Sequence, residues 1–448
     1  MALWRGRWDG SRGLLGVFVI AWLCGLEQGA EANGIFRNGV GARAMALGGA
    51  DAAWAEDALG AMAANPAGLG FLTTPTLNLS LTAVTADGRF RNPVNDDGDL
   101  SGDPGFVPDG AFALRLGPVA VGIALIPESL LFGDWQYNDT PGGLGGKTTY
   151  GLQQHKSGIV VLRSAVGLGV SLGPNFALGG SIGLVYNENT LEAPYVFQSH
   201  PILKGFKTLL DLETSGYGWN GSVGLLYRPH ETVQLGLAYK SETTVHSDGR
   251  ASGNAAAQLA ALGVPFRPDF RYDAEVTTVF PQMVTGGLSW KFHPRWRLAL
   301  QVDWINWSDA FDDLPIKLTN GNNADINGFV GSDTLEDTVP LKWRDRFVYR
   351  IGLEYTVRDN LWLRAGYAYG KSPVPSSTLL PLTAVIVEHT LTAGVGYRRG
   401  RYQVDLAYQL DVPRERRVGT SGLLAGEYSQ SRTEVGLHWV GLTASIRF

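Results

Sequence analysis

Between residues 345 and 355 the chain sets Phe347, Tyr349, Ile351, Leu353 and Tyr355 against Arg346, Val348, Arg350, Gly352 and Glu354. Alternate residues of an extended strand point to opposite faces, so this period of two predicts a strand with one greasy face and one largely polar face. Residues 402 to 411 repeat the pattern, with Tyr402, Val404, Leu406, Tyr408 and Leu410 against Gln403, Asp405, Ala407, Gln409 and Asp411. From about Pro75 onward such runs recur, and no long apolar run follows Leu26. Alternation alone fits a soluble sandwich or a barrel in lipid, because each has a single apolar face.

The connections separate the two. Tight turns are expected at Gly117-Pro118, Gly173-Pro174-Asn175, Arg228 to Glu231, His293-Pro294-Arg295, Arg358-Asp359-Asn360 and Arg398-Arg399-Gly400. Polar or Gly/Pro-rich loops alternate with them at roughly 87–109, 128–156, 192–213, 247–275, 309–343, 371–386 and 413–432. Six turns and seven loops join fourteen strands, an even number, as a single-chain outer-membrane barrel requires. The expected fold is therefore all-β: a 14-stranded antiparallel transmembrane barrel over residues 73–448, with periplasmic termini and long loops outside. The chain ends VGLTASIRF, with Leu442, Ala444, Ile446 and Phe448 on one face of a last strand.

Two N-terminal stretches break the pattern. Residues 1–32 read as an export signal: Arg5, Arg7 and Arg12, an apolar stretch from Leu14 to Leu26, then Ala30-Glu31-Ala32. Residues 33–72 are rich in alanine and glycine, with helix formers from Ala44 to Ala64 interrupted by Gly48-Gly49 and Gly60 and stopped by Asn65-Pro66. They are expected to form a small helical plug inside the barrel, or else a periplasmic tail.

Composition narrows the function. A formal charge of -5 with no basic run argues against nucleic acid. The single cysteine, Cys24, lies in the signal, so thiol catalysis, disulfides and thiolate metal sites are not expected in the mature chain. The seven histidines have no metal-ligand spacing and no G-x-S-x-G elbow occurs. The string GGLGGKT at 142–148 lacks the strand-to-helix context of a phosphate loop. Neither an enzyme, a metal nor a cofactor is expected.

The ordered set GARAMALGGA at 41–50, NPAGL at 65–69, SGYGWNGSVGLLYRP at 215–229, LGLAYKS at 235–241, VDWINWS at 302–308, LRAGYAYGKSPVP at 363–375 and VDLAYQL at 404–410 resembles the outer-membrane long-chain fatty acid transporter family, the FadL type. That resemblance implies passive uptake of a hydrophobic ligand by a monomeric barrel in outer-membrane lipid: capture on outer loops, binding in the lumen, and hatch-gated sideways release. It also implies a kink in the third strand that leaves a gap in the wall. Here Val119 to Ile126 runs into Pro127, which cannot donate to a ladder and marks either such a lateral opening or a plain strand end. Hatch residues Ile35, Phe36, Arg43 and Met45 are ligand candidates by resemblance alone. Pro381 is followed by LTAVIVEHT, largely apolar where the family typically carries charges, which points to a less polar substrate.

Candidate ligand residues follow from chemistry. Phe197, Ile202, Leu203 and Phe206 in one loop, and Leu259, Leu262 and Phe266 in another, offer apolar surface next to water. Leu259 and Leu262 are expected to be exposed on a short helix. Arg163, Arg297, Arg346, Arg350 and Arg364 are expected to point inward, where one could hold a carboxylate or pair with Asp303, Glu354 and Asp405. The leading substrate reading is a long-chain fatty acid; the alternatives are a neutral aromatic or alkane hydrocarbon, or no transport at all in a structural or receptor barrel.

Overall fold

The computed structural model describes residues 34–424 and 428–448, so the expected export signal lies outside the described residues. Three short helices come first: α1 (Ala42–Ala46), α2 (Ala58–Ala63) and α3 (Gly68–Phe71). Strand segments then follow in the order β1 (Thr76–Asn92), β2 (Asn95–Leu100), β3 (Gly105–Leu116), β4 (Val119–Asn138), β5 (Leu152–Ser171), β6 (Phe176–Val196), β7 (Lys207–His230), β8 (Val233–Lys240) and β9 (Thr243–Asn254). After helix α4 (Ala256–Leu262) come β10 (Asp269–Phe280), β11 (Met283–His293), β12 (Trp296–Ile305), helix α5 (Trp307–Ala310), β13 (Asp313–Thr319), helix α6 (Ala324–Val330) and β14 (Leu335–Pro340). The chain finishes with β15 (Arg346–Arg358), β16 (Leu361–Gly370), β17 (His389–Arg399), β18 (Tyr402–Val418) and β19 (Ser431–Arg447).

Five pairs of segments, β2/β3, β8/β9, β10/β11, β12/β13 and β14/β15, each form one interrupted stave, which reduces the set to fourteen staves. Every neighbouring pair is antiparallel, and the barrel closes where β1 meets β19 from Thr76↔Arg447 to Arg91↔Arg432. Closure leaves no edge strand, which is what lets a sheet cross hydrocarbon with its backbone satisfied. No helix among the described residues is long and apolar enough to cross a membrane.

Period-two alternation sets which face meets lipid. Phe347 and Leu406 are 54% and 46% exposed, whereas Arg350, Glu354 and Asp405, at the alternate positions of the same strands, are buried inside. Four of the six tight turns fall where expected; β7 continues to His230 and turns at Glu231-Thr232, and β17 continues to Arg399 and turns at Gly400-Arg401. The long loops are shorter than expected, apart from the one expected at 371–386, which extends to residue 388. β4 runs to Asn138, β6 to Val196, and the stretch 309–343 contains β13, α6 and β14. Above the membrane a hairpin keeps its backbone ladder but no longer needs an apolar outward face, so the alternation that announces it disappears.

Residues 34–72 pack inside the barrel and bond directly to its wall. The Asp51 and Ala52 amides donate to Gln301 on β12, Thr392 on β17 donates to the Ala46 carbonyl, and Arg350 on β15 donates to the Gly48 carbonyl. α1 ends at Gly48-Gly49, both with positive φ. Gly60, expected to break a helix, lies within α2, where its amide meets Asp57 and a Cβ would come 2.4 Å from Asp51. Inward strand glycines make room for this insert: a Cβ on Gly224 would stand 2.0 Å from Asn65 Oδ1, and one on Gly366 2.3 Å from the Gly48 nitrogen.

Candidate functional site

Two apolar spaces lie one above the other on the outer side of the insert. The upper is a groove among the outer loops, with about 760 Å³ of space open to solvent. All seven loop residues singled out from the sequence, Phe197, Ile202, Leu203, Phe206, Leu259, Leu262 and Phe266, line it. One expectation is corrected: Leu262 is exposed but Leu259 is buried, because α4 turns Leu259 into the cluster with Phe206 and Phe270.

The lower space is a cavity in the upper lumen, about 1300 Å³ including its mouth. Its wall includes Leu131, Ile159, Val276, Ile316, Trp343 and Leu382, and none of its lining residues carries a formal charge. Its aromatic side is braced by Trp343, which stacks on Phe311 at 4.6 Å between centroids and packs on Trp307 at 5.0 Å. The apolar stretch after Pro381 supplies Leu382 to the wall, while Val385, Ile386 and Val387 are buried behind it.

Below lies a chamber of opposite character. Arg37, Asp51, Glu128, Lys240, Asp303 and Arg350 are among its walls. Phe36 stands at its top, with its ring 5.3 Å from Trp307 and the Lys240 ammonium 5.1 Å from its centroid. Ile35 is fully buried beside it.

The predicted inward arginines are engaged with protein. Arg350 pairs with Asp303 at 2.7 Å and donates to Asn38 and the Gly48 carbonyl. Arg364 pairs with Glu354 at 2.7 Å and Asp405 at 2.6 Å. Arg163 donates to Asn220 and Ser181 and lies 3.7 Å from Glu128. Arg297 pairs with Glu56 of the insert at 2.7 Å, beside Trp54. Half-buried Arg346 donates to the Ser372 and Asp345 carbonyls. None of the five lines the upper lumenal cavity. Within the insert, Arg43 is committed to Asp51 at 2.8 Å and Met45 packs against the barrel wall at Gly441.

Pro127 does not end its strand, because β4 continues through it to Asn138. The ladder between β3 and β4, however, runs only from Leu116↔Val119 to Gly110↔Leu125. It resumes between β2 and β4 at Leu100↔Trp135, and β4 shifts register against β5 between Pro127 and Ser129. Over this open interval β4 pairs with the N-terminal segment: Phe36 bridges Ser129, and the Leu130 amide donates to the Ile35 carbonyl at 3.2 Å. Arg37 ties both lips together, donating to Asp109 on β3 and to the Pro127 carbonyl on β4. Val107 and Leu130 pack together across the interval.

Residues the sequence reading missed are Phe311, Leu314, Ile316, Val339 and Trp343 of the cavity and Asp337 above it. They lie in the stretch read as loop, and only the apolar spacing of Ile316 and Leu318 hinted at strand.

Residues 26–448 match the model of the family described as outer membrane protein transport protein (OMPP1/FadL/TodX). A 161-residue stretch is 27% identical to a 47 kDa outer membrane protein of Pasteurella multocida, 35% of this chain and 34% of that protein, so the match spans about a third of the relative. Among solved structures, the Pseudomonas putida toluene transporter TodX superposes with a TM-score of 0.71 at 20% identity, over 93% of this chain and 100% of that one. A Pseudomonas aeruginosa FadL homologue gives 0.72 at 17% identity, over 95% and 100%. The Ralstonia pickettii toluene transporter TbuX gives 0.69 at 22%, over 92% and 99%. These likenesses carry the fold, and the family match over nearly the whole sequence carries the assignment: the chain belongs to the OMPP1/FadL/TodX family of outer-membrane transporters of hydrophobic compounds.

Proposed function

We propose that this protein takes up neutral hydrophobic molecules, hydrocarbons in preference to ionised fatty acids. The observation that carries this is the uncharged lining of the upper lumenal cavity. An ionised carboxylate placed there would lose its hydration and gain no cation, a cost of several kcal/mol, on the order of the effective penalty for one buried ion. The five inward arginines do not offset it, since each is already engaged elsewhere. The similarly folded TodX and TbuX are toluene transporters, which accords with this reading.

The route begins in the outer groove, where a hydrophobe leaves water for apolar side chains, and continues to the cavity beneath. An apolar molecule gains nothing from the charged lower chamber. The alternative is the interval between β3 and β4, faced by Val107, Leu130, Ile35 and Phe36 and bridged by the Arg37–Asp109 pair. Displacement of the N-terminal segment from β4 opens that interval toward the membrane, which gives Pro127 and its register shift a role in lateral release.

The test is binding to purified protein in detergent, comparing naphthalene, palmitate and methyl palmitate. Naphthalene and the ester should bind at least tenfold more tightly than ionised palmitate. Palmitate binding as well as or better than its ester would sink the preference for neutral ligands.

A further inference from the structure

Between the outer groove and the lumenal cavity runs a continuous inward face interrupted by one carboxylate. On β10, Phe270 and Tyr272 line the groove, Val276 and Thr278 line the cavity, and the small, buried Ala274 lies between. On β14, Leu335 lines the groove and Val339 the cavity, and Asp337 lies between. On the facing hairpin, Phe197 belongs to the groove and Tyr195 to the cavity. The two spaces thus meet at the level of Asp337.

Asp337 is buried, and its two oxygens accept from the amides of Gln198 at 2.8 Å, Ser199 at 2.6 Å and His200 at 3.1 Å, from Ser199 Oγ at 2.8 Å and from the Tyr195 hydroxyl. The Thr338 amide donates back to Ser199 Oγ at 2.8 Å. Three successive amides turned onto one carboxylate form a nest, a strong and directional clasp. The clasp holds the start of the loop 197–206, whose apolar residues make the groove. Gln198, within the clasp, also accepts from the Leu424 amide and so ties in the last outer loop.

Resting on the uptake reading above, we infer that Asp337 is the latch between capture and lumenal binding: a hydrophobe passes from groove to cavity only when the 198–200 turn lets go of this carboxylate. A structural staple with no part in passage would hold the same bonds, so the test must arrest the seam without removing it. Ser199 Oγ lies 2.8 Å from the Thr338 amide, and the only cysteine of the chain is Cys24 in the expected signal, so a Ser199→Cys/Thr338→Cys variant has two thiols on neighbouring residues across the clasp for oxidation to join.

The protein is reconstituted in liposomes and uptake of N-phenyl-1-naphthylamine is followed by fluorescence. Oxidation of the double variant should slow protein-dependent uptake at least tenfold relative to the same variant in its reduced state, with recovery on reduction, while oxidant leaves the wild-type rate unchanged. Asp337→Asn, which offers an amide where the nest wants an anion, should speed uptake several-fold when folded barrel is confirmed by its heat-modifiable gel shift. Wild-type rates in the oxidised double variant, with the disulfide confirmed by mass spectrometry, would overturn the latch, as would unchanged uptake in Asp337→Asn. Absence of protein-dependent uptake by the wild type would instead overturn the transport reading beneath it.

Discussion

Arg37→Gln tests whether the N-terminal segment is riveted across the wall. Arg37 reaches both oxygens of Asp109, the Pro127 carbonyl at 3.3 Å and Thr82 Oγ1 at 3.4 Å. Asp109 is 1% exposed, so glutamine leaves a buried carboxylate with no cation. Breaking one side of such a pair costs about 3–5 kcal/mol. The cost falls on docking of residues 34–37, because the ladder around the rest of the barrel does not use them. At about 1.4 kcal/mol per factor of ten, even the lower figure raises the undocked population about a hundredfold. Hydrogen exchange in detergent reads this directly at the Leu130 amide, whose partner is the Ile35 carbonyl. That amide should exchange about two orders of magnitude faster, in step with that free-energy cost, while amides between β5 and β6 stay protected. The variant Arg37→Met/Asp109→Leu removes both charges and should recover much of the protection. Unchanged exchange at Leu130 in folded Arg37→Gln would refute the reasoning.

Gly366→Val forces a side chain into backbone that stands 2.3 Å from the ideal Cβ position, and should unseat the insert at a cost of about 1–3 kcal/mol or more. Planar-bilayer recordings should then show raised conductance with the barrel still heat-modifiable; a closed, wild-type trace would count against close packing there. Acidification should loosen the loop 197–206, because burial lowers the His200 pKa below its ordinary 6.5 against the pull of Asp337 and Glu336. Its ring nitrogen accepts from the Ile202 and Leu203 amides only when unprotonated. With the folded value depressed, this contribution is complete above the unfolded pKa and is lost as pH falls through 6.5 toward the folded value. Exchange in residues 197–206, corrected for intrinsic rates, should therefore rise between about pH 7.5 and 5.5, a window that brackets the ordinary histidine value, and a flat profile would dismiss the effect. Leu314→Arg places a cation in the uncharged cavity and should reverse ligand preference, with palmitate gaining on naphthalene at least tenfold in titrations; an unaltered ratio would mean that the cavity does not set selectivity.

The barrel was legible because its chemistry repeats: alternation fixes strands, and six tight turns fix their pairing. The residues of the outer groove were legible too, since Phe197, Ile202, Leu203 and Phe206 stand in a segment where water would otherwise select polar side chains. The cavity was not. Ile316, Val339 and Trp343 come from separate segments within a stretch lacking sustained alternation, and only the closed sheet brings them together. The inward arginines were legible together with their partners, because the partners stand at inward positions of the same alternation: Asp303 for Arg350, Glu354 and Asp405 for Arg364. Gly224 and Gly366 carry no signal in the alternation, and in the closed barrel they are the space that the insert occupies.

The energetic division between wall and insert follows from how each is held. The wall is a closed ladder whose hydrogen bonds have no competing water in hydrocarbon, so it cannot open piecemeal without leaving polar groups unsatisfied. The one interval where β3 and β4 do not pair lacks that protection, and there the insert supplies the missing partner. One buried ion pair, Arg37 with Asp109, crosses from the insert to the wall, Arg297 of the wall pairs with the exposed Glu56, and Arg43 with Asp51 holds the insert's own shape. Attraction in such pairs roughly cancels the desolvation of their members, so they fix geometry more than they add stability. The segment 34–37 meets β4 through one bridge and one backbone hydrogen bond beside such a pair, so it parts from the wall at less cost than one stave of the closed ladder parts from the next. Motion demanded by a passing ligand should concentrate there.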